Sequence, residues 1–287
     1  MRTAVITVVH ARHQHLRRQL DGLAAGSRLA DHHVVVALAD RQVATVVDAD
    51  TIVHAGTRRH LVHLDGDPAA LPVGEARNKG AEAALGHGAE LLVFLDVDCI
   101  PGRDLIGRYH AAAGTAAHRD ALLCGPVTYL RPPGPQGYDL TALPVRPHPA
   151  RPAPPENQVL VGEDYNLFWS LSFAVTASTW RRVGGFCPQY RGYGGEDTDF
   201  AQCAAAAGIG MRWVGGAPAF HQYHPTSDPP VQHLEDVVRN ATVFHRRWGW
   251  WPMAGWLEAF EARGLIVRAD DGSPLLRSSA PGSARAS

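Results

Sequence analysis

Two aspartates, Asp96 and Asp98, follow an apolar run, Leu91–Leu95, and precede a Pro101-Gly102 pair. The run has the length and composition of a buried strand, and Pro-Gly marks a turn. In an extended chain, side chains at i and i+2 share a face. That places both carboxylates on one side of the strand's C-terminal edge. Like charges so close need a counter-charge. A hard divalent cation carrying a diphosphate supplies one, because such cations take oxygen ligands and keep substrate phosphates in their shell. An acidic turn after a core strand is the competing reading, and a lone Asp-x-Asp does not decide between them.

Three further stretches carry groups that could act with this pair: Glu75-Ala76-Arg77-Asn78-Lys79-Gly80, Gly194-Gly195-Glu196-Asp197-Thr198-Asp199-Phe200 and His221-Gln222-Tyr223-His224. Histidines at i and i+3 in a loop after a strand can face one centre, and imidazole suits transition metals better than magnesium. Glu196 and Asp197 fall in the first turn of a helix, where negative charge is favourable. They can cap that helix, or take a proton from a hydroxyl within hydrogen-bond reach.

The elements that must position these groups alternate. Residues 4–9, 34–38 and 91–95 read as strands, with a third short strand at 51–53 or 59–64. Residues 11–22 and 73–86 read as helices between them. This alternation predicts an α/β chain with a mostly parallel sheet flanked by helices. In such sheets ligands bind outside the C-terminal strand ends, where Asp40, Asp96 and Asp98 fall. Beyond lie a helix at 101–115, a strand at 121–127 and a Pro-rich stretch at 131–155 that is neither helix nor central strand. That stretch is either a plain surface loop or a lid. A strand at 167–175, a helix at 178–183, a Gly184-Gly185-Phe186 turn, a helix at 196–208 and a strand at 211–214 follow. Helices at 231–248 and 256–263 come last. The expected division is 1–130 for one half, 131–157 for the Pro-rich loop, 158–265 for a second half and 266–287 for a disordered tail.

The 287 residues are 45% hydrophobic, enough for one large domain or two small ones. With 27 basic and 28 acidic residues, no global field favours nucleic acid or an anionic membrane surface. Lys79 is the only lysine. Cys99, Cys124, Cys187 and Cys203 form neither a zinc motif nor a disulfide framework. No apolar stretch approaches the roughly 20 residues of a membrane span, and the short apolar N-terminus lacks a secretory pattern. A cytoplasmic protein is expected.

Taken in order, these motifs resemble the GT-A glycosyltransferases of the inverting family-2 type. The second half is similar to the C-terminal region of the beta-galactosyltransferases, with its Gly-Gly-Phe turn, aromatic-Gly-Gly-Glu-Asp helix start and following histidine. The stretch Val9-His10-Ala11-Arg12-His13-Gln14-His15-Leu16 resembles the same family's first nucleotide-binding loop, and the likeness covers roughly residues 3–248. It implies a GT-A fold with a fused acceptor-binding half. It also implies a nucleoside-diphosphate sugar donor and a divalent metal, manganese first and magnesium as the alternative. By the same resemblance Asp98 and His224 bind the metal, and His221 takes the position of a second, softer ligand. Asp96 contacts the donor sugar or ribose. His10, Arg12, Asp40, Arg77 and Asn78 are the remaining donor contacts. Asp197 is the catalytic base, beside Glu196. Tyr193, Gly194, Gly195 and Glu196 form the acceptor side, and Trp169 lines the pocket.

Two departures matter. Ala39-Asp40-Arg41-Gln42 stands where many family-2 enzymes carry Asp-Asp-Gly-Ser. A processive synthase's tryptophan motif is absent as well, so transfer of a single hexose, UDP-linked in first place, to a hydroxyl acceptor is expected. Two other readings compete. One is a nucleotide-sugar or carbohydrate-binding protein without turnover, which would not need both carboxylate pairs. The other is a nucleotidyltransferase, which would want a Gly-rich phosphate loop after the first strand.

Overall fold

The computed structural model describes residues 1–49 and 56–277. Its first half runs β1 (Thr3–Val9), α1 (His13–Ala24), β2 (His32–Leu38), α2 (Val43–Ala49), β3 (Arg58–Leu64), α3 (Val73–Gly86), β4 (Leu91–Leu95), β5 (Cys99–Pro101), α4 (Leu105–Gly114), β6 (Ala121–Cys124) and β7 (Val127–Tyr129). The second half runs β8 (Val159–Gly162), β9 (Ser172–Thr176), α5 (Ala177–Val183), α6 (Glu196–Ala206), β10 (Gly210–Val214), β11 (Ala219–His221), α7 (Leu234–Trp248), α8 (Ala254–Ala262), β12 (Ile266–Arg268) and β13 (Pro274–Leu276). Of the two positions expected for the third strand, 59–64 is the strand observed, and 51–53 lies outside the described residues.

The main sheet has eight strands in the order β3-β2-β1-β4-β9-β6-β10-β8. Strands β3, β2, β1 and β4 are mutually parallel, and β6 pairs parallel with β10. Only β9 and the edge strand β8 run against them. β2 and β4 are buried along their whole length, as parallel strands covered by helices on both faces must be. Helix α3 lies close on β1 because Gly80 faces it. A Cβ there would come within 2.5 Å of Ile6 Cγ2. A second sheet, β5-β11-β7, sits beyond the end of β4. One core cluster runs from Ala4 and Ile6 through Phe94 and Phe173 to Phe200 and Trp213. Both halves of the chain therefore share a core.

Several expected elements differ. Residues 99–101 are strand β5, and the helix begins only at Leu105. The single strand expected at 121–127 is broken between β6 and β7 by Gly125-Pro126. Pro126 has no N–H for a ladder, and a Cβ on Gly125 would lie 2.1 Å from the Ala217 carbonyl oxygen. The chain crosses from one sheet to the other there. Of 167–175 only Ser172 onward is strand; Tyr165–Leu167 forms a 3-10 turn. The start of the expected tail is ordered, since β12 and β13 form an antiparallel pair with Ile266 opposite Leu276.

The Pro-rich stretch holds neither helix nor strand, as its prolines require. Tyr138, Leu140 and Leu143 pack on Ile100 and Phe220 of the second sheet and on Leu130 just after β7. The Tyr138 hydroxyl donates to the Arg131 carbonyl at 2.9 Å and accepts the Tyr223 N–H at 3.1 Å. This seats the stretch beside His221 and His224. If it closes over a donor, adding UDP and manganese should slow amide hydrogen exchange across 131–155; equal exchange with and without them would make it a plain surface loop.

Candidate active site

The Asp-x-Asp motif is a turn, not an extended strand end. Pairing of β4 stops at Leu95, opposite Ser172. The Asp96 N–H then donates to the Leu171 carbonyl at 3.0 Å, and the Cys99 N–H to the Asp96 carbonyl at 2.8 Å. The turn sends the two carboxylates to different partners, which corrects the expectation that they share one face. Asp96 receives Arg77 Nη2 at 3.0 and 3.2 Å. Asp98 Oδ2 lies 3.5 Å from His221 Nε2 and 3.6 Å from His224 Nε2. Buried Gln19 of α1 holds the turn from behind, its Nε2 donating to the carbonyls of Asp96 at 2.7 Å and Cys99 at 3.1 Å. The Gln222 N–H donates to the Asp98 carbonyl at 2.7 Å.

Strand pairing explains why the histidines meet Asp98: β11 runs antiparallel to β5 with His221 opposite Cys99. The ligand atoms of Asp98, His221 and His224 all lie within 4.8 Å of one another. One carboxylate oxygen and two imidazole nitrogens at this spacing fit a single divalent transition-metal ion. Burial opposes ionisation of Asp98, but the two facing imidazoles outweigh it and hold the carboxyl well below its usual range. His15, not singled out in the sequence, stands with its ring 6.4 Å from that of His224. Its Nε2 is buried without a hydrogen-bond partner. Burial, then the charge of Arg12, pushes its pKa down, which keeps it neutral.

On the other flank, Arg77 is 4% exposed. Besides Asp96 it meets Glu196 Oε1 and Asp197 Oδ1, each at 3.5 Å from Nη1. Expected as a donor contact, its guanidinium is engaged by three carboxylates that need a cation. Burial raises Asp96 to about 6 despite Arg77, with the charges of Asp98 and Asp197 adding to the rise. Burial, then the neighbouring Asp197, raises Glu196 to about 7. The second oxygen of Asp197 accepts the Ser170 N–H at 2.9 Å, a backbone contact that no side-chain motif announces.

The loop before α6 is held from α7. Gly194 and Gly195 have φ of +92° and +90°, the left-handed region that favours glycine. Buried Asn240 donates through Nδ2 to the carbonyls of Arg191, Tyr193 and Gly194 at 2.8, 3.2 and 2.8 Å. Asp236 accepts the Tyr193 N–H at 3.1 Å. Neither residue belongs to a recognisable motif; only their i, i+4 spacing marks one helix face. The Tyr193 ring stacks with His233 at 4.5 Å and Trp256 at 5.7 Å between centroids. Asp199 is fully buried and accepts from Tyr190 Oη, Arg247 Nε and Trp248 Nε1 at 3.2, 2.6 and 2.7 Å, tying α6 to α7.

The remaining candidates divide. At the end of β2, Asp40 accepts from the Ala11 N–H, His13 Nε2 and the Gln42 N–H at 2.9, 2.7 and 2.9 Å. Burial alone would raise its pKa, yet these bonds pull it below the usual range. His10 Nδ1 meets the Leu38 carbonyl at 2.9 Å, so His10, Arg12 and Asp40 gather where β1 and β2 end. Asn78 is not among them. It clamps the Gly-Gly-Phe turn, donating to the Phe186 carbonyl and accepting its N–H, both at 2.8 Å. Trp169 is half-buried, 5.0 Å from His148 and facing Arg151.

Residues 158–225 match the family described as the N-terminal domain of galactosyltransferase. The validoxylamine A glucosyltransferase of Streptomyces hygroscopicus subsp. limoneus is 28% identical over 239 residues, covering 72% of this chain. This chain spans about half that relative's length, 49%. A crystal structure of S. aureus TarS 1-349 superposes with a TM-score of 0.58 at 13% identity, over 84% of this chain and 65% of that one. The mannosyltransferase PcManGT from Pyrobaculum calidifontis, in complex with GDP-Man and Mn2+, does so with a TM-score of 0.55 at 14% identity, over 91% and 75%. The fold is the GT-A fold. With the matched segment and the relatives, it supports a GT-A type of glycosyltransferase carrying a galactosyltransferase-like stretch.

The elevated Glu196 makes a signed prediction. Below its ordinary value near 4.5 the group is protonated whether folded or not. As pH rises towards about 7 the unfolded chain ionises first, so native stability declines across that window. Against Glu196→Gln, the natural protein should lose roughly 1–3 kcal/mol between those limits in paired denaturant titrations. A constant difference would mean Glu196 is ionised throughout.

Proposed function

We propose that this chain transfers a single hexosyl unit, with inversion, from a nucleoside-diphosphate sugar to a hydroxyl acceptor. The observation that carries this reading is the arrangement at one end of the sheet. A metal-suited group, Asp98, His221 and His224, adjoins a carboxylate pair, Glu196 and Asp197, through Asp96 and Arg77. The TarS fragment in complex with UDP-GlcNAc and the PcManGT complex with GDP-Man and Mn2+ support the donor class. A UDP-linked sugar is our first choice. No helix among the described residues is long and apolar enough to cross a membrane, in keeping with a cytoplasmic location.

Asp98, His221 and His224 would hold manganese, with magnesium as the alternative; a bound ion supplies positive charge to the departing diphosphate. Asp96, fixed by Arg77, faces the donor sugar or ribose, and His10, Arg12 and Asp40 line the nucleotide side. Asp197 accepts the acceptor's hydroxyl proton. Its oxygens are oriented by the Ser170 N–H and by Arg77, and each keeps a lone pair for the incoming hydroxyl. Glu196, its pKa raised to about 7 by burial and then by Asp197, anchors the acceptor as donor or acceptor of a hydrogen bond. Tyr193, Gly194 and Gly195 shape the acceptor side. In-line attack puts this base across the sugar from the leaving group, which gives inversion.

Asp98→Ala should abolish manganese-dependent UDP binding in calorimetry while the protein stays folded. Undiminished affinity would remove the metal assignment. Asp197→Asn should lower turnover by roughly 100- to 10,000-fold with donor affinity little changed. Normal turnover there with loss in Glu196→Gln would reverse the two roles. Normal turnover in both would leave the carboxylates as helix caps.

A further inference from the structure

The Pro-rich stretch carries one deeply buried charge. Arg151 is 4% exposed, and none of its guanidinium nitrogens has a hydrogen-bond partner. The group instead lies against two indoles, its central carbon 4.9 Å from the ring of Trp169 and 4.9 Å from that of Trp213. A guanidinium does not give up its proton in a protein, so it is buried as a cation. Contacts with aromatic faces offset only part of what it loses by leaving water. Burial presses its pKa below the ordinary arginine value, and Asp197 is among the groups that oppose the fall.

Its surroundings lead to the carboxylate pair. Trp213 lies in β10, and Trp169 immediately precedes Ser170, whose N–H holds Asp197 Oδ2 at 2.9 Å. The main chain that delivers Arg151 is moored along β7. The Arg146 N–H donates to Thr128 Oγ1 at 3.1 Å, the His148 N–H to the Val127 carbonyl at 2.9 Å, and the Arg151 N–H to the His148 carbonyl at 3.1 Å. The His148 ring stands edge-on to Trp169 at 5.0 Å. Arg151 thus presses on the residue next to Ser170 from a backbone that is itself fixed.

We propose that Arg151 is a positioning residue for Asp197: seated against Trp169 and Trp213, it fixes the Trp169-Ser170 backbone and so the N–H that orients the carboxylate. The proposal rests on the reading of Asp197 as base, and it makes the C-terminal end of the Pro-rich stretch part of the catalytic apparatus. A packing role and a positioning role predict opposite outcomes when the charge is removed and the length kept. A side chain that only fills space would leave turnover unchanged in Arg151→Met. A positioning cation gives a variant that is as stable as the natural protein or more so, because a buried unpaired charge is gone, yet slower.

The test uses Arg151→Met and Arg151→Lys in the full chain, followed by thermal unfolding, calorimetry with UDP and manganese, sugar-transfer kinetics and amide exchange at 169–172. We expect an unchanged or higher Tm, unchanged UDP affinity, and kcat lower by up to about 100-fold, the scale of a slightly misplaced catalytic group. Exchange at Ser170 should be faster in Arg151→Met. Arg151→Lys should recover part of the rate through its charge but not all, lacking the planar group that stacks. Unchanged kcat and unchanged Ser170 exchange would overturn the proposal, as would a fall in Tm that accounts for the lost rate. Should the natural protein bind UDP and manganese yet transfer no sugar, the transferase reading fails, and Ser170 exchange still decides whether Arg151 positions that backbone.

Discussion

Arg77 is the cation on which the site depends. It rises from α3 and meets carboxylates from two distant parts of the chain, Asp96 after β4 and Glu196 and Asp197 at the start of α6. Without it, three acids would face each other in a region largely closed to water, where an uncompensated charge is costly. One guanidinium cannot balance three carboxylates, and burial raises two of them, Asp96 to about 6 and Glu196 to about 7. The protonation states open to the site are therefore set by a helix that need not touch any ligand. Its closeness depends in turn on Gly80 against Ile6.

The metal-suited group is built differently. It belongs to a hydrogen-bonded unit in which α1, the Asp-x-Asp turn and the histidine loop hold one another. Gln19 fixes the turn. Gln222, between the two histidines, holds the Asp98 carbonyl through its N–H and the His15 carbonyl through Nε2 at 3.0 Å. Arg18 reaches Gln222 Oε1 at 3.4 Å. Imidazoles and carboxylate are thus positioned by main-chain carbonyls of their own neighbours.

The legible parts were those governed by local pattern. Helix α3 and strand β4 have the boundaries that apolar run length and flanking glycines suggest, and Asp98, His221 and His224 converge as their spacing and order implied. The departures have two causes, a local turn and partners remote in sequence. The i, i+2 rule for Asp96 and Asp98 holds only while a strand continues, and the Cys99–Asp96 bond ends it. Arg77 and Asn78 look alike in sequence as polar residues of an early helical turn. One is drawn inward by acids more than 100 residues on, the other by the Phe186 backbone. Asn240 and Gln19 satisfy carbonyls and form no pattern of their own. The three-residue strands β5, β7 and β11 are too short for alternation to show.

The main sheet is not assembled in the order in which it is made. Strand β9, from the second half, lies between β4 and β6 of the first. During synthesis β4 and β6 emerge with the edges that β9 will join still open, and such edges invite wrong partners. Nearly 50 further residues, among them the prolines of 131–155, separate β6 from the strand that joins it to β4. Productive folding on the ribosome must therefore wait for the chain through Thr176, and an exchange of acceptor halves between relatives would cut through a sheet, not a linker.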